Sequence, residues 1–321
     1  MKPIGGFFEL ELSKTGEYYP NLFKLNSGRN AFEAILRKRA YKKVFLPYYT
    51  CDAMLEPIER LGVKYHFYHI NEQLEPETSF EFLQSDEVAV YNNYFGIKYR
   101  YIQGLNKLNR NIIIDNCQAF FSEPDANLDT FYSPRKFFGV PDGGYLFLFD
   151  GDKDIGNFDK DHSYEHFLHL VKRIDLAPEE AYDEFLRSEQ SLINRPGKAM
   201  SEITRRILQS INYKQVFETR RQNFNYLHQA LKDNNLLKID KFYNQSSAPM
   251  VYPFLIAHSN LRAYLISKKV FVATYWPNVL EWTGSDSLEH YFAQNLIPLP
   301  IDQRYRVNDM DYIVELINQF L

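Results

Sequence analysis

IIIDNCQ, residues 112–118, places three consecutive β-branched residues directly before an acidic one. Such an apolar run is typical of a strand buried on both faces, as in a parallel sheet. A carboxylate at the end of that strand is costly unless a cation pairs with it, and a protonated heterocycle nitrogen would supply the pairing. From the residues alone, Asp115 fits a loop cap and a functional carboxylate equally well.

Apolar runs and helix-like stretches alternate on both sides of this segment, which predicts an α/β fold. We expect a large domain, residues 1–204, with a mostly parallel mixed sheet. Residues 205–321 are expected to form a connector helix and a smaller C-terminal α+β domain. The predicted strands are 44–47, 63–70, 88–91, 112–114, 145–149, 251–256 and 270–275. The predicted helices are 30–40, 52–61, 204–232, 261–269 and 309–321.

The composition, 45% hydrophobic and 24% charged residues, is that of a soluble globular protein. The net charge of −4 and the scattered basic residues argue against nucleic acid or an anionic membrane as partner. Cys51 and Cys117 are the two cysteines, too few for a disulfide framework or a zinc cluster, and they fit a reducing compartment. Residues 1–6 lack the apolar core of a signal peptide, and no later segment reaches membrane-spanning length. We therefore expect a cytoplasmic protein.

Histidines at helical spacing, His162, His166 and His169, lie in a polar stretch. Their surroundings favour a solvated helix face over a metal site, so no metal ligands are predicted.

Polar groups that follow strands are the candidates for a site, because ligands of open α/β sheets bind beyond the carboxyl ends of the strands. In LNSGRN, residues 25–30, Ser27, Gly28 and Arg29 precede the first predicted helix. A small residue and a glycine at a helix start present backbone N–H groups to an anion, and the helix dipole favours negative charge there. Taken alone, the segment is also consistent with a plain N-cap.

A lysine lies among aromatic, proline and glycine residues in SPRKFFGVPDGG, residues 133–144. Desolvation at such a position lowers the pKa of an amine and makes it available as a nucleophile toward a carbonyl. Lys136 alone would more often be a surface residue. Its combination with Asp115, Gln118 and the Gly143-Gly144 turn favours a functional role.

Together these segments resemble the DegT/StrS-type sugar aminotransferases, which have PLP-transferase fold type I and use pyridoxal 5'-phosphate (PLP). The resemblance covers most of the chain. Its more specific part is Asp115-x-x-Gln118 with Lys136, and the Ser27-Gly28 loop supports it. Further support comes from residues 46–50, 220–223, 276–277 and 299–300.

The resemblance implies a role for each candidate residue. Lys136 would bind PLP covalently and shuttle a proton between substrate and cofactor, and Asp115 would keep the pyridine nitrogen protonated. Gln118 would hydrogen-bond the phenolic oxygen of PLP. The phosphate would be held by the loop Ser27, Gly28 and Arg29, with Ser133 as an extra hydroxyl.

Two positions depart from the family pattern. Cys51 lies where relatives often carry an aromatic residue that stacks on the pyridine ring, so stacking is either lost or supplied by another group, such as a tyrosine. Arg29 replaces a usual threonine, so one hydroxyl contact to the phosphate is missing. Asn194 is a weak match for the asparagine that reaches the phosphate from a partner subunit.

The substrate contacts are expected from Tyr49, Asn93 and Tyr94, which follow predicted strands; Asn93 and Tyr94 are equally consistent with packing alone. The resemblance implies a nucleotide-linked keto sugar as acceptor, glutamate as donor, a role in surface polysaccharide or a related glycan, and a homodimer. A sugar dehydratase is disfavoured, because those relatives replace the lysine by histidine. The alternative from another class is a non-catalytic ligand-binding or regulatory protein on the same fold.

Overall fold

The computed structural model describes residues 4–105, 107, 111–243, 247–258 and 260–321. Residues 1–3 of the N-terminal segment considered above therefore lie outside the described part. The strands within it are Phe23–Leu25 (β1), Lys43–Pro47 (β2), Lys64–Tyr68 (β3), Glu87–Asn92 (β4), Ile112–Asp115 (β5), Asp129–Tyr132 (β6), Gly144–Phe147 (β7), Val251–Leu255 (β8) and Leu296–Pro300 (β9).

The helices are Gly28–Arg39 (α1), Leu55–Arg60 (α2), Tyr99–Leu105 (α3), Leu168–Asp175 (α4), Tyr182–Gln190 (α5), Glu202–Gln209 (α6), Tyr213–Leu231 (α7), Leu261–Ser267 (α8), Val279–Trp282 (α9), Leu288–Asn295 (α10) and Val307–Phe320 (α11). In the part of the chain that the structure describes, none of them has the length and apolarity needed to cross a lipid bilayer.

Seven strands form one mixed sheet in the order β1-β7-β6-β5-β4-β2-β3. Strands β2 to β6 run parallel to one another, and β7 is antiparallel to both β6 and β1. Since β1 therefore runs in the same direction as β6, its carboxyl end lies at the same edge of the sheet as the carboxyl ends of β4 and β5. The prediction of a mostly parallel mixed sheet is confirmed.

A second, two-stranded sheet pairs β8 with β9 in antiparallel register from Val251↔Pro300 to Leu255↔Leu296. Its side chains share one apolar core with residues from both halves of the chain, including Tyr91 of β4 and Phe224 of α7. Another core, with Phe32 of α1 and Ile113 of β5, lies between the large sheet and the first helices. The division of the chain at residue 204 stays a prediction.

The segment 204–232, predicted as one helix, is two helices. α6 ends at Gln209, whose carbonyl accepts hydrogen bonds from the N–H and the hydroxyl of Thr15 at 2.7 and 2.8 Å. A second helix, α7, begins at Tyr213. Asn212 is its N-cap, because the Asn212 side chain accepts a hydrogen bond from the N–H of Gln215 at 3.1 Å. The prediction of a single connector helix is therefore wrong.

The prediction of a strand over residues 270–275 is also wrong. These residues make no ladder with another strand among the described residues, although Val270 and Val272 are buried. They pass beside the carboxyl edge of the large sheet and bring Tyr275 to the cleft described below.

Candidate active site

Asp115 and Lys136 meet at the carboxyl edge of the large sheet. Asp115 ends β5 and lies opposite Phe131 of the neighbouring parallel strand β6. After β6 the chain turns through Ser133 into a single 3-10 turn, Pro134–Lys136. Because both residues follow adjacent parallel strands, the topology brings them to one cleft. Their charges act on each other, as the pKa values below show.

The loop after β1 joins them from the other side. Ser27 is the N-cap of α1, and its hydroxyl accepts from the N–H of Asn30 at 3.1 Å. The first N–H groups of any helix lack partners inside the helix, so this end is suited to an anion. An added Cβ on Gly28 would meet the Cys117 Sγ at 3.0 Å and the Ser133 Cβ at 3.5 Å. The loop thus packs directly on the residues that follow β5 and β6.

Two glycines permit this close approach. The N–H of Gly143 donates to the Asn26 carbonyl at 2.8 Å, with a φ of +127° at Gly143. An added Cβ on Gly144 would lie 2.2 Å from the Ser27 carbonyl oxygen. Backbone atoms cannot move aside as a flexible side chain would, so only glycine fits at position 144. The Gly-Gly turn noted in the sequence therefore holds the Ser27 loop in place.

The Arg29 side chain leaves this site. Its Nη1 lies 3.5 Å from Glu56 Oε2, in a groove between α2 and α5. Asn194 lines the same groove and is exposed. The phosphate contact expected of Arg29 is its backbone N–H, which stays a prediction; the guanidinium lies at Glu56 and has no part in it.

The Asp115 carboxylate accepts a hydrogen bond from the N–H of Cys117 at 2.7 Å. Burial raises the pKa of Asp115, while the nearby Lys136 charge and the Cys117 N–H oppose that rise. The carboxylate therefore lacks full compensation in the protein alone. A cationic ring nitrogen would supply what is missing.

In the described part of the chain, the Gln118 side chain has one polar atom with a hydrogen-bond partner and one without. Its Oε1 accepts from the N–H of Phe95 at 2.8 Å, which fixes the orientation of the amide. Its Nε2 is buried and has no hydrogen-bond partner among the described residues. A buried donor without a partner is costly, so this N–H₂ group is suited to an acceptor on a ligand.

Lys136 extends into a cavity of about 560 Å³, which Ser133, Arg135, Arg220 and Tyr275 also line. Burial is the largest single effect on the pKa of Lys136 and lowers it, as expected from the sequence. The combined influence of Cys117, Asp115, Cys51 and Tyr275 outweighs burial, so the net pKa is raised. The expectation of a lowered pKa is therefore wrong for the protein alone. Burial raises the pKa values of both thiols and of the phenol and favours their neutral forms, so Asp115 is the carboxylate whose charge a ligand would have to offset to free the amine.

The missing ring-stacking aromatic has one candidate replacement in the cleft. Cys51 is half-buried near Lys136, and burial raises the pKa of its thiol while Lys136 lowers it. Tyr48 does not face this cleft, because its ring stacks on Phe67 with centroids 4.8 Å apart. Tyr275 does reach it, and its pKa is raised chiefly by burial and lowered by Lys136.

Sequence reasoning missed two residues of this site, Tyr275 and Cys117. Tyr275 precedes the Trp276-Pro277 pair that carried part of the resemblance, which was the available signal. Cys117 lies within the Asp115-x-x-Gln118 motif, and its Sγ fills the space between that motif and Gly28.

The three residues expected to contact substrate are all fully buried at 0% exposure: Tyr49, Asn93 and Tyr94. The Tyr94 hydroxyl donates to the Tyr49 carbonyl at 2.9 Å. The Asn93 amide donates to Asn116 Oδ1 at 2.9 Å and accepts from the Lys98 N–H at 3.1 Å. The full burial and satisfied hydrogen bonds of Asn93 and Tyr94 favour packing over a substrate contact. The Tyr49 hydroxyl is buried without a hydrogen-bond partner among the described residues, so its substrate contact stays a prediction.

Among the described residues, no group of three His, Cys, Asp or Glu side chains is arranged to hold a metal ion. The prediction of solvent-exposed histidines is confirmed for His162, which is exposed. It is wrong for His169, which is buried with its ring 5.9 Å from that of Phe185.

Several solved structures share this fold over most of their length. A DegT DnrJ EryC1 StrS aminotransferase from Brucella abortus has a TM-score of 0.63 and 16% identity, covering 93% of this chain and 85% of that chain. Sugar aminotransferase CalS13 from Micromonospora echinospora has a TM-score of 0.63 and 12% identity, covering 94% and 87%. NtdA from Bacillus subtilis with bound cofactor PMP has a TM-score of 0.63 and 13% identity, covering 93% and 72%.

No family sequence model and no curated protein sequence matches the chain. The solved structures establish its fold, and the prediction of the PLP-transferase fold is confirmed.

Proposed function

We propose that this protein is a PLP-dependent aminotransferase that transfers an amino group to a nucleotide-linked keto sugar. One observation supports this most strongly: the segment after β5 carries both the Asp115 carboxylate, whose charge interacts with the Lys136 amine, and the partnerless Gln118 amide three residues later. A packed core gains nothing from a buried donor without a partner beside an incompletely compensated carboxylate. Both features fit the ring of PLP.

The residues fit PLP along its whole length. Asp115 would hold a proton at the pyridine nitrogen, and Gln118 Nε2 would donate to the phenolic oxygen. The Ser27-Gly28 loop and Ser133 would bind the phosphate at the start of α1, while Cys51 and Tyr275 are the side chains available to flank the ring. When bound, PLP supplies an aldehyde that condenses with amines and a ring that accepts an electron pair.

Lys136 is the candidate for the proton transfers. Its amine is in the cleft and exposed to a ligand, so it is able to link to the cofactor and, once released, to take and return a proton at the substrate carbon. Asp115 would hold the proton at the ring nitrogen of the bound cofactor. The positive ring would then offset the Asp115 charge, which is one of the charges that raise the Lys136 pKa.

An anionic amino donor such as glutamate is part of this proposal. Arg135 adjoins Lys136, lines the same cavity, and has a buried Nε with no partner among the described residues, although its Nη2 pairs with Glu189 at 2.5 Å. A guanidinium N–H is suited to a carboxylate of the donor. The sugar acceptor is proposed from the named activity of CalS13.

We keep the homodimer, the cytoplasm and a role in glycan synthesis as parts of the proposal. A cluster of large apolar side chains is exposed on α4 and α5, beside the cavity, and such clusters mark protein interfaces: Leu168, Val171, Ile174, Phe185 and Leu186. Both cysteines are free thiols, which suits a reducing compartment. Light scattering on the purified protein would give its oligomeric state.

The test of the function is an amino-transfer assay run in reverse. A panel of nucleotide-linked amino sugars is incubated with 2-oxoglutarate and the PLP-loaded protein, and glutamate formation is measured. We expect turnover of at least one sugar by the wild type and none by Lys136→Ala. A wild type that stays colourless after incubation with PLP would favour the non-catalytic alternative.

A further inference from the structure

Arg220 is a buried arginine at the cavity that holds Lys136. It lies on α7 and is 2% exposed, yet none of the described carboxylates forms an ion pair with it. Its Nε donates to Gln303 Oε1 at 3.0 Å, and its Nη1 donates to the Met250 carbonyl at 3.0 Å. Burial lowers its pKa to about 10. The nearby Asp302 raises this pKa but does not offset burial, so the guanidinium depends on its hydrogen bonds to neutral acceptors.

A further contact of Arg220 reaches the residue after Lys136. Its Nη2 donates to the Phe137 carbonyl at 3.4 Å, and the guanidinium lies 4.5 Å from the centre of the Phe137 ring. Gln303 Nε2 donates to the same carbonyl at 2.8 Å. The carbonyl is therefore held by two side chains, one from α7 and one from the loop after β9.

This carbonyl belongs to the peptide plane between residues 137 and 138, which follows the 3-10 turn Pro134–Lys136. The N–H side of that plane is held by the backbone, since the Phe138 N–H donates to the Pro134 carbonyl at 2.9 Å, and the two side chains hold its carbonyl side. The planar guanidinium presents its N–H groups in a rigid fork, so it is able to bind acceptors on several segments at fixed angles. Arg220 thereby joins the Lys136 turn, the start of β8 and Gln303.

We infer that Arg220 and Gln303 are positioning residues for Lys136: by holding the Phe137 carbonyl, they set the direction of the lysine amine in the cleft. The chemical use of that amine rests on the proposed function, but the contact itself does not. The test therefore measures Lys136 directly, in protein without cofactor. Competitive labelling with acetic anhydride across pH, read by mass spectrometry, gives the reactivity of one lysine amine.

Two substitutions at Gln303 remove the same donor but differ in charge. Gln303→Glu keeps an acceptor for Arg220 Nε and loses the N–H₂ group that binds Phe137. Gln303→Met loses the same N–H₂ group without adding a charge. The added carboxylate of Gln303→Glu shifts the pKa of Lys136. The variants are therefore compared by the reactivity of the uncharged Lys136 amine. Arg221→Met, at the exposed neighbour of Arg220 on α7, is the control.

We expect both Gln303 variants to change the labelling of uncharged Lys136 by about threefold or more, since misplacement of a reacting group has large effects on rate. Arg221→Met should match the wild type, and Gln303→Glu should keep its thermal midpoint. Unchanged Lys136 labelling in folded Gln303→Glu would overturn the inference. If Lys136 labelling changes but the wild type does not link PLP, positioning stands and the proposed function fails.

Discussion

Asp115, at the end of β5, and Lys136, in the turn after the adjacent parallel strand β6, partly compensate each other's charge. The lysine lowers the pKa of Asp115 against the larger rise caused by burial, and the carboxylate contributes to the raised pKa of Lys136. The compensation of Asp115 is incomplete, because burial still dominates. This imbalance is what a bound cationic ring would correct, and it leads to measurable consequences.

The first consequence is a pH-dependent stability difference in the cofactor-free protein. Because the folded pKa of Asp115 is raised, its neutral form is favoured at low pH, and stability is lost as pH rises through the folded pKa. Asp115→Asn stays neutral and keeps an acceptor for the Cys117 N–H. We therefore expect a higher thermal midpoint than the wild type at pH 8 and a smaller difference at pH 5. A variant less stable than the wild type at pH 8 would contradict this assignment.

The partnerless amide of Gln118 leads to a second prediction. Gln118→Glu keeps an oxygen for the Phe95 N–H but replaces the free donor with an acceptor. We expect PLP to bind about tenfold or more weakly, corresponding to the loss of a hydrogen bond worth roughly 1.5–3 kcal/mol. Titration with PLP, followed by absorption, measures the affinity. The same change at exposed Gln229 on α7 is the control, and equal affinities in the two variants would refute this role for Gln118.

Glycine substitutions test the phosphate loop. Gly144→Ala would place a Cβ 2.2 Å from the Ser27 carbonyl oxygen, so the loop must shift. Gly104→Ala, in α3, meets no atom within 4 Å and should be neutral or stabilising by about 0.5–1 kcal/mol. We expect Gly144→Ala to lose PLP binding and to unfold at a lower temperature. Normal PLP affinity in Gly144→Ala would show that this loop does not bind the phosphate of PLP.

The ring-flanking role of Tyr275 is tested by the rate at which PLP is lost. Tyr275→Phe keeps the ring, while Tyr275→Ala opens the cleft beside Lys136. We expect faster loss of PLP, by about tenfold, from the alanine variant only, because aromatic contacts contribute about 0.5–1.5 kcal/mol beyond their buried area. Tyr48→Ala removes a ring that stacks on Phe67 away from the cleft and serves as the control. Equal rates for Tyr275→Ala and Tyr48→Ala would exclude Tyr275.

The central strands were predictable because β2, β4 and β5 are buried on both faces and therefore read as apolar runs. The sequence did not reveal β1, β6 or β9, since FKL, DTFY and LIPLP are short and contain polar residues or prolines. Their pairing depends on the neighbours that the folded sheet supplies.

The site residues likewise divide into those that the sequence predicts from strand ends and those placed by tertiary packing. Ser27, Asp115 and Lys136 follow strands whose ends share one edge, so topology alone brings them together. Tyr94 also follows a strand, but the turn after β4, where Phe95 has a φ of +56°, directs its ring into the core. Tyr275 arrives through the packing of the C-terminal segment, and the adjoining Trp276-Pro277 pair was the signal for it in the sequence.

The most direct test of the central claim is to trap the cofactor on its lysine. The purified protein is incubated with PLP, reduced with borohydride and digested, and mass spectrometry locates the modified residue. We predict one dominant adduct, on Lys136, with loss of the yellow colour on reduction and no adduct at that level in Lys136→Ala. Modification spread over surface lysines, or equal labelling of the Lys136→Ala protein, would contradict the account.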